Sequence, residues 1–452
     1  MFGPSLKRAG ALGVCALVNS ASAHLYHTRT RKGNLLAAAR SSNGSERFAG
    51  YDRCSMESGK SWLEIAGAHL RENYHVLVEA ARVGGESVPV LAVIKAGGYG
   101  HGAGLCAQVL AAAGAPWLGV TDGAEGAMVR RSLEAAGVPR ERQPGILVMC
   151  GLMEEETEAI VRNDLTPVVW CPEQIDWLLR VVEPGFPMSI HLEIDTGMSR
   201  QGALPGVVLN RVLDRLARAS PHIRIGGVMT HFASAEVARS PLTALQRERF
   251  MMALLQIADR EIDADWIHVG NSSSIEEGSS LPWLVEMASR IGAAPMVRSG
   301  LALYGYRLPI EGGRSAVDER LRPVLTWKSR VLAISDVAPG ATVGYNATFV
   351  APGPMRLALL PVGYADGLRR EMSGTNEEPG GWVMIRGQRA PIVGRVSMNL
   401  ATVDVSAIRE ASVGDEVTLL GDGISADDHA RLANTISYEI LCGLRTVPWL
   451  TE

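Results

Sequence analysis

The chain reads as a closed (β/α)8 barrel followed by an all-β C-terminal domain, and three observations point to that fold class. From Val88 onward, short runs rich in Val, Ile and Leu alternate with helix-length segments carrying Ala, Leu, Glu and Arg at helical spacing, the mark of parallel β/α units. Eight such runs fit within about 210 residues, enough to close one barrel. After Arg320 the pattern turns to short alternating strands separated by Gly and Pro turns, which reads as a separate β domain.

Taken in order, residues 1–55 form an N-terminal extension. Lys7 and Arg8, the apolar run Ala9–Val18 and then Ala21-Ser22-Ala23 follow the zones of a secretory signal. Against that, the apolar run is short and holds two glycines, and a start at Met56 is the competing reading. The barrel is expected over 56–315, its strands at Pro89–Ala96, Trp117–Val120, Ile146–Met149, Pro167–Trp170, Met188–Asp195, Ile223–Thr230, Trp266–Val269 and Met296–Arg298. Nearly continuous apolar strands are those covered on both faces. The runner-up is a doubly wound open sheet, but Gly97-Gly98-Tyr99-Gly100 is not the glycine fingerprint that fold asks of its first turn. The β domain is expected over 316–452, with strands Thr326–Ile334, Arg356–Val362, Gly381–Ile385, Ala390–Val396, Ala401–Val405 and Glu416–Leu420. Ser61–Ile65 reads as one more strand, a candidate to return and join that domain.

The 452 residues are 47% hydrophobic and 20% charged, a globular balance able to bury a large core. The net charge of −4 hides an asymmetry: residues 1–45 hold six basic and no acidic residues, leaving 38 basic against 48 acidic in the rest. An acidic body without a basic stripe argues against a nucleic-acid partner. The six cysteines, Cys15, Cys54, Cys106, Cys150, Cys171 and Cys442, show no metal-ligand or disulfide spacing, so no metal is expected and a reducing, cytoplasmic compartment is the simpler reading. Export is the alternative if the signal-like start is real. No run reaches the roughly 20 apolar residues of a membrane span.

Active sites of β/α barrels gather at the carboxyl ends of the strands, which singles out Lys95 after Ala92-Val93-Ile94. A Lys there either snorkels, pairs with an acid or is used chemically, and a desolvated amine suits an imine with a carbonyl cofactor. Strands 7 and 8 end in Gly270-Asn271-Ser272 and Arg298-Ser299-Gly300-Leu301, small residues with free N–H groups where barrels hold a phosphate, or else ordinary capped turns. An imine-forming Lys beside a phosphate cradle implies pyridoxal 5′-phosphate.

Ala92-Val93-Ile94-Lys95-Ala96-Gly97-Gly98-Tyr99-Gly100-His101-Gly102, Asp195-Thr196-Gly197-Met198-Ser199-Arg200, Thr230-His231-Phe232, Arg298-Ser299-Gly300, Gly344-Tyr345, Gly363-Tyr364-Ala365-Asp366-Gly367 and Gly394-Arg395-Val396-Ser397-Met398 occur in this order. From about Ser61 to the carboxyl terminus the chain closely resembles alanine racemase. The resemblance implies a homodimeric isomerase of L- and D-alanine that supplies peptidoglycan precursors. Lys95 bonds the cofactor and is one base, and Tyr345, supplied by the partner subunit, is the other. It also implies His231 as the hydrogen-bond partner of Tyr345 and Arg298 as the group facing the pyridine nitrogen. Tyr99, Ser272, Gly300, Leu301 and Tyr438 would contact the phosphate, Arg200 and Met398 the substrate carboxylate, and Tyr364 would stand at the mouth. Two bases on opposite faces are the simplest way to invert a Cα–H centre.

The sequence departs from the family at Glu193, where a carbamylated Lys is frequent. A carboxylate there is expected to orient Arg200 directly. Asn399, Ser397 and Gly97-Gly98 are further departures, which bear on the pocket opening and substrate range. A broad amino-acid racemase and, less favoured, a non-catalytic pyridoxal-phosphate carrier are the alternatives; the latter would need neither Tyr345 nor the β domain.

Overall fold

The structure is a computed structural model, and it describes residues 59–183, 185, 187–317, 319–446 and 448–451. The readings of residues 1–55 as a signal or an unstructured leader lie outside the described residues.

Strand β1 (Ser61–Ala66) comes first among the described residues, ahead of the barrel. Eight parallel strands then close on themselves: β2 (Val90–Val93), β3 (Trp117–Val120), β4 (Gly145–Val148), β5 (Thr166–Val169), β6 (Met188–Glu193), β7 (Ile223–Met229), β8 (Trp266–Val269) and β9 (Ala294–Ser299). Closure is made by Val297, Arg298 and Ser299 of β9 pairing with Val90, Leu91 and Ala92 of β2. All four residues of β2 are buried, and each Val or Leu so buried contributes about 1.5–3 kcal/mol. The runner-up open sheet is thereby replaced by a barrel.

β10 (Leu325–Arg330), β11 (Ala333–Val337), β12 (Met355–Leu360), β13 (Trp382–Ile385), β14 (Gln388–Pro391), β15 (Ala401–Asp404), β16 (Glu416–Leu420) and β17 (Pro448–Thr451) follow. They form a six-stranded sheet ordered β14-β13-β16-β10-β1-β17 and a three-stranded sheet ordered β11-β12-β15. β1, before the barrel, lies between β10 and β17, so the first and last strands of the described chain meet in one sheet. Helices Ala426–Leu432 and Ser437–Cys442 complete the C-terminal region.

One expectation needs correction. Thr326–Ile334 is not a single strand: the chain changes sheets at Val331-Leu332, where Val331 N–H donates to Asp415 O at 2.9 Å and Leu332 N–H to Leu359 O at 2.8 Å. An apolar run shows that backbone is extended and covered, but its pairing partner is a tertiary matter. One apolar core runs from the barrel into the six-stranded sheet, while Val343, Ala351, Met355, Leu357 and Val393 form a small separate core beneath the Tyr345 turn.

Candidate active site

β2 ends at Val93 because the next residues leave extended geometry. Ala96, Gly97, Gly98 and Tyr99 all have left-handed φ, from 53° to 66°. Such backbone is costly for Ala96 and Tyr99 and persists only where neighbours hold it. Here Ala96 N–H donates to Thr121 Oγ1 at 3.1 Å, and Gly97 N–H to Glu125 Oε1 at 2.7 Å. Glu125 Oε2 in turn accepts from Thr121 N–H at 2.7 Å. One carboxylate thus ties the first βα loop to the second and sets the root of Lys95. The Lys95 side chain is half-buried, not fully desolvated as its strand-end position suggests.

The same turn carries Tyr99 inward. Its ring packs on Tyr304 at 4.9 Å and on Tyr438, from the Ser437–Cys442 helix, at 5.9 Å. A Cβ on Gly300 would stand 2.2 Å from Tyr99 Oη, so only glycine lets that hydroxyl reach the backbone after β9. Ser272 Oγ accepts from Gly300 N–H at 3.1 Å and Ala302 N–H at 3.2 Å, and Leu301 opens the short turn between them. Tyr99, Ser272, Gly300, Leu301 and Tyr438 therefore converge on one cradle. Burial, chiefly, raises the hydroxyl pKa of Tyr99 and pushes that of Tyr438 up to about 12, so both stay donors.

Arg298, at the end of β9, is 1% exposed. It donates through Nη2 to Thr230 O at 2.7 Å and His231 Nδ1 at 3.2 Å, and through Nη1 to His268 Nδ1 at 2.9 Å. A guanidinium has only donors, so both imidazole Nδ1 atoms are acceptors and each ring's proton sits on Nε2. His268 Nε2 then donates to His191 Nδ1 at 2.8 Å. Burial first, then the Arg298 charge, pushes His191 down to about 3; burial likewise dominates in holding His231 and His268 well below the usual imidazole range. Lys95 adds to that effect on His231, which shows the two share a neighbourhood. The Arg298 Nε–H is buried without a partner.

Glu193, 2% exposed at the end of β6, requires the second correction. It does not reach Arg200: the described residues include no ion pair between them, and Arg200 is exposed. Glu193 Oε2 accepts instead from Gln201 Nε2, whose other partner is Met149 O at 3.0 Å. Gln201 turns toward Glu193 and Met149, while Arg200, one residue earlier, is exposed. Burial, chiefly, pushes the Glu193 carboxyl up to about 7.

Tyr345, Tyr364 and Met398 fall elsewhere. Tyr345 opens a short turn and is 66% exposed. Backbone contacts bring its neighbours together: a Cβ on Gly344 would lie 3.0 Å from Arg395 N, and Tyr364 N–H donates to Ser397 O at 3.0 Å. The three side chains are exposed, and among the described residues no hydrogen bond or ring contact joins Tyr345 to Lys95 or His231. Within one chain, these side chains and those around Lys95 form two separate groups.

Sequence reasoning missed Thr121, Glu125, Gln201, His191 and His268. Of the two histidines His268 had a legible signal, since it interrupts an otherwise apolar barrel strand. Among the described residues no group of three His, Cys, Asp or Glu side chains is placed to hold a metal.

Two family models match in chain order, the alanine racemase N-terminal domain over residues 65–308 and the C-terminal domain over 324–448. The chain belongs to the alanine racemase family. It is 36% identical over 392 residues to an alanine racemase of Syntrophobacter fumaroxidans, covering 85% of this chain and 95% of that one. The solved alanine racemase from Streptomyces coelicolor A3(2) is 30% identical with a TM-score of 0.74, over 86% of this chain and 97% of its own. An alanine racemase structure from Bartonella henselae, named as carrying covalently bound pyridoxal phosphate, shares the fold at 24% identity and a TM-score of 0.70, over 87% and 100% of the two chains. Alanine racemases are isomerases that depend on pyridoxal phosphate.

Proposed function

We propose that this chain interconverts L- and D-alanine on pyridoxal 5′-phosphate, with Lys95 Nζ and Tyr345 Oη as bases on opposite faces of the substrate, and that two copies assemble so that each completes the other's site. The observation that carries this reading is the match between a finished barrel half-site and an exposed Tyr345 with nothing to act on in its own chain.

The residues present fit the cofactor. The cradle offers hydroxyl and backbone donors around Gly300 for a phosphate, and the orphaned Arg298 Nε–H suits an acceptor nitrogen. When bound, pyridoxal phosphate supplies the electron withdrawal that loosens the substrate Cα–H bond. Lys95 Nζ handles the proton on one face and the partner's Tyr345 Oη on the other. His231, its Nδ1 committed to Arg298, keeps Nε2–H for that phenol oxygen. Arg298 stays cationic and so discourages protonation of the acceptor it faces; the electron sink is weakened, which favours racemisation over transamination. Arg200 and the Met398 backbone receive the substrate carboxylate, and Tyr364 lines the approach. The product serves peptidoglycan synthesis in the cytoplasm; among the described residues no helix is long and apolar enough to cross a membrane.

The test is purification of the chain, a visible absorbance spectrum, and chiral analysis with L-alanine and a panel of larger amino acids. A yellow protein that racemises alanine best supports the reading. Faster turnover of larger substrates would move it to a broad racemase, and absence of turnover in a yellow protein to a carrier.

A further inference from the structure

Apart from the active site, the barrel holds a cavity of about 330 Å³ between the starts of helices Pro241–Ala258 and Ser280–Ile291. Its lining is rich in donors that lack acceptors. Arg247 donates through Nη2 to Ser279 Oγ at 3.0 Å and Ser280 Oγ at 2.5 Å, but its Nε–H is buried with no partner. Ser280, 3% exposed, accepts from Arg247, and among the described residues no acceptor is found for its own hydroxyl proton. Ser240, 7% exposed, accepts from Thr243 N–H and likewise has its proton to spare.

The charges agree. Arg239 and Arg247 line the cavity against one carboxylate among its lining residues, Glu277, whose Oε2 accepts from Ser279 N–H at 3.0 Å and Ser279 O–H at 2.6 Å. Arg247 forms no ion pair among the described residues. Its guanidinium stands 5.7 Å from the Trp283 ring centroid, and Glu277 acts on its charge without a direct ion pair. A half-buried cation with unspent donors around it calls for an acceptor-rich anion. Donors arriving from one arginine and two separate hydroxyls match a tetrahedral oxyanion better than a planar carboxylate, and both helix starts add favourable potential.

We propose that this cavity binds the phosphate group of a small phosphorylated metabolite or free phosphate, at a site separate from the cofactor cradle, with Arg247 as its anchor. The test is calorimetric titration of the holoenzyme, at ionic strength held with potassium chloride, with inorganic phosphate and with glycerol 3-phosphate. One saturable site per chain is expected for at least one of them; tighter binding of the ester identifies a metabolite site, and equal binding a free-phosphate site. Arg247→Met should weaken it by about tenfold or more, and Ser280→Ala by a few-fold, with cofactor absorbance and racemisation unchanged. No saturable heat would show a water-filled cavity and overturn the proposal. So would binding that survives Arg247→Met but is lost in Ser272→Ala, since the phosphate would then be entering the cofactor cradle. If Arg247→Met fails to fold, unchanged affinity in Ser280→Ala overturns it.

Discussion

At the barrel mouth, Arg298 is buried and its donors define the tautomers of His231, His268 and His191 in turn; in the β domain, Tyr345, Tyr364 and Met398 stand exposed. The first region is organised before any ligand arrives, because buried polar groups tolerate few arrangements. The second has its backbone set but its side chains uncovered. The contrast teaches that one chain can satisfy the polar groups of its barrel mouth internally and leave the β-domain side chains uncovered; under the proposed function, assembly would join the two.

The largest expected effect tests the barrel mouth. Lys95→Ala should lower racemisation by at least about 10³-fold and remove the visible absorbance of the bound cofactor, read by chiral chromatography and spectrophotometry. Full activity in that variant would remove Lys95 from the chemistry.

Tyr345→Phe tests the β domain. Racemisation should fall about 10²- to 10³-fold while the visible absorbance stays. Mixed with Lys95→Ala under conditions that exchange subunits, it should recover about a quarter of wild-type activity, because half the dimers would be hybrids with one intact site of two. No recovery in demonstrated hybrids would mean that each chain is self-sufficient.

Gly300→Ala separates cofactor holding from proton transfer. The added methyl meets Tyr99 Oη, so cofactor affinity should drop about tenfold, measured by release on dilution, with kcat of the saturated enzyme less affected.

The smallest effect concerns pH. A carboxyl raised to about 7 when folded keeps a proton that the unfolded chain has released. Stability from Glu193 is therefore present at low pH and lost as pH rises from about 4.5 to about 7, by on the order of 3 kcal/mol. Glu193→Gln should flatten that part of a urea-melt series. The buried imidazoles act in the opposite sense: His191, held at about 3, opposes folding as pH falls below about 6.5.

Much of this was legible in residue order. The eight apolar runs marked the barrel, and the order of the motifs marked the family. The split at Val331-Leu332 was not legible, because one extended run satisfies two sheets as readily as one. Nor was the Glu125 clamp on the Lys95 turn, whose partners are 28 and 4 residues away. Glu193 shows the limit most sharply: its place in the motif pointed to Arg200, yet the loop between them turns Gln201 inward.

Residue order by itself determined the barrel's strand count, the change to β structure after the barrel and the family, since periodicity is local and the motifs keep their order along the chain. Only the tertiary structure decided which donors are spent and which remain, that β1 sits between β10 and β17 in the C-terminal sheet, and that Tyr345 lies uncovered. Hydrogen-bond satisfaction and exposure depend on groups far apart in the chain, and no local pattern records them.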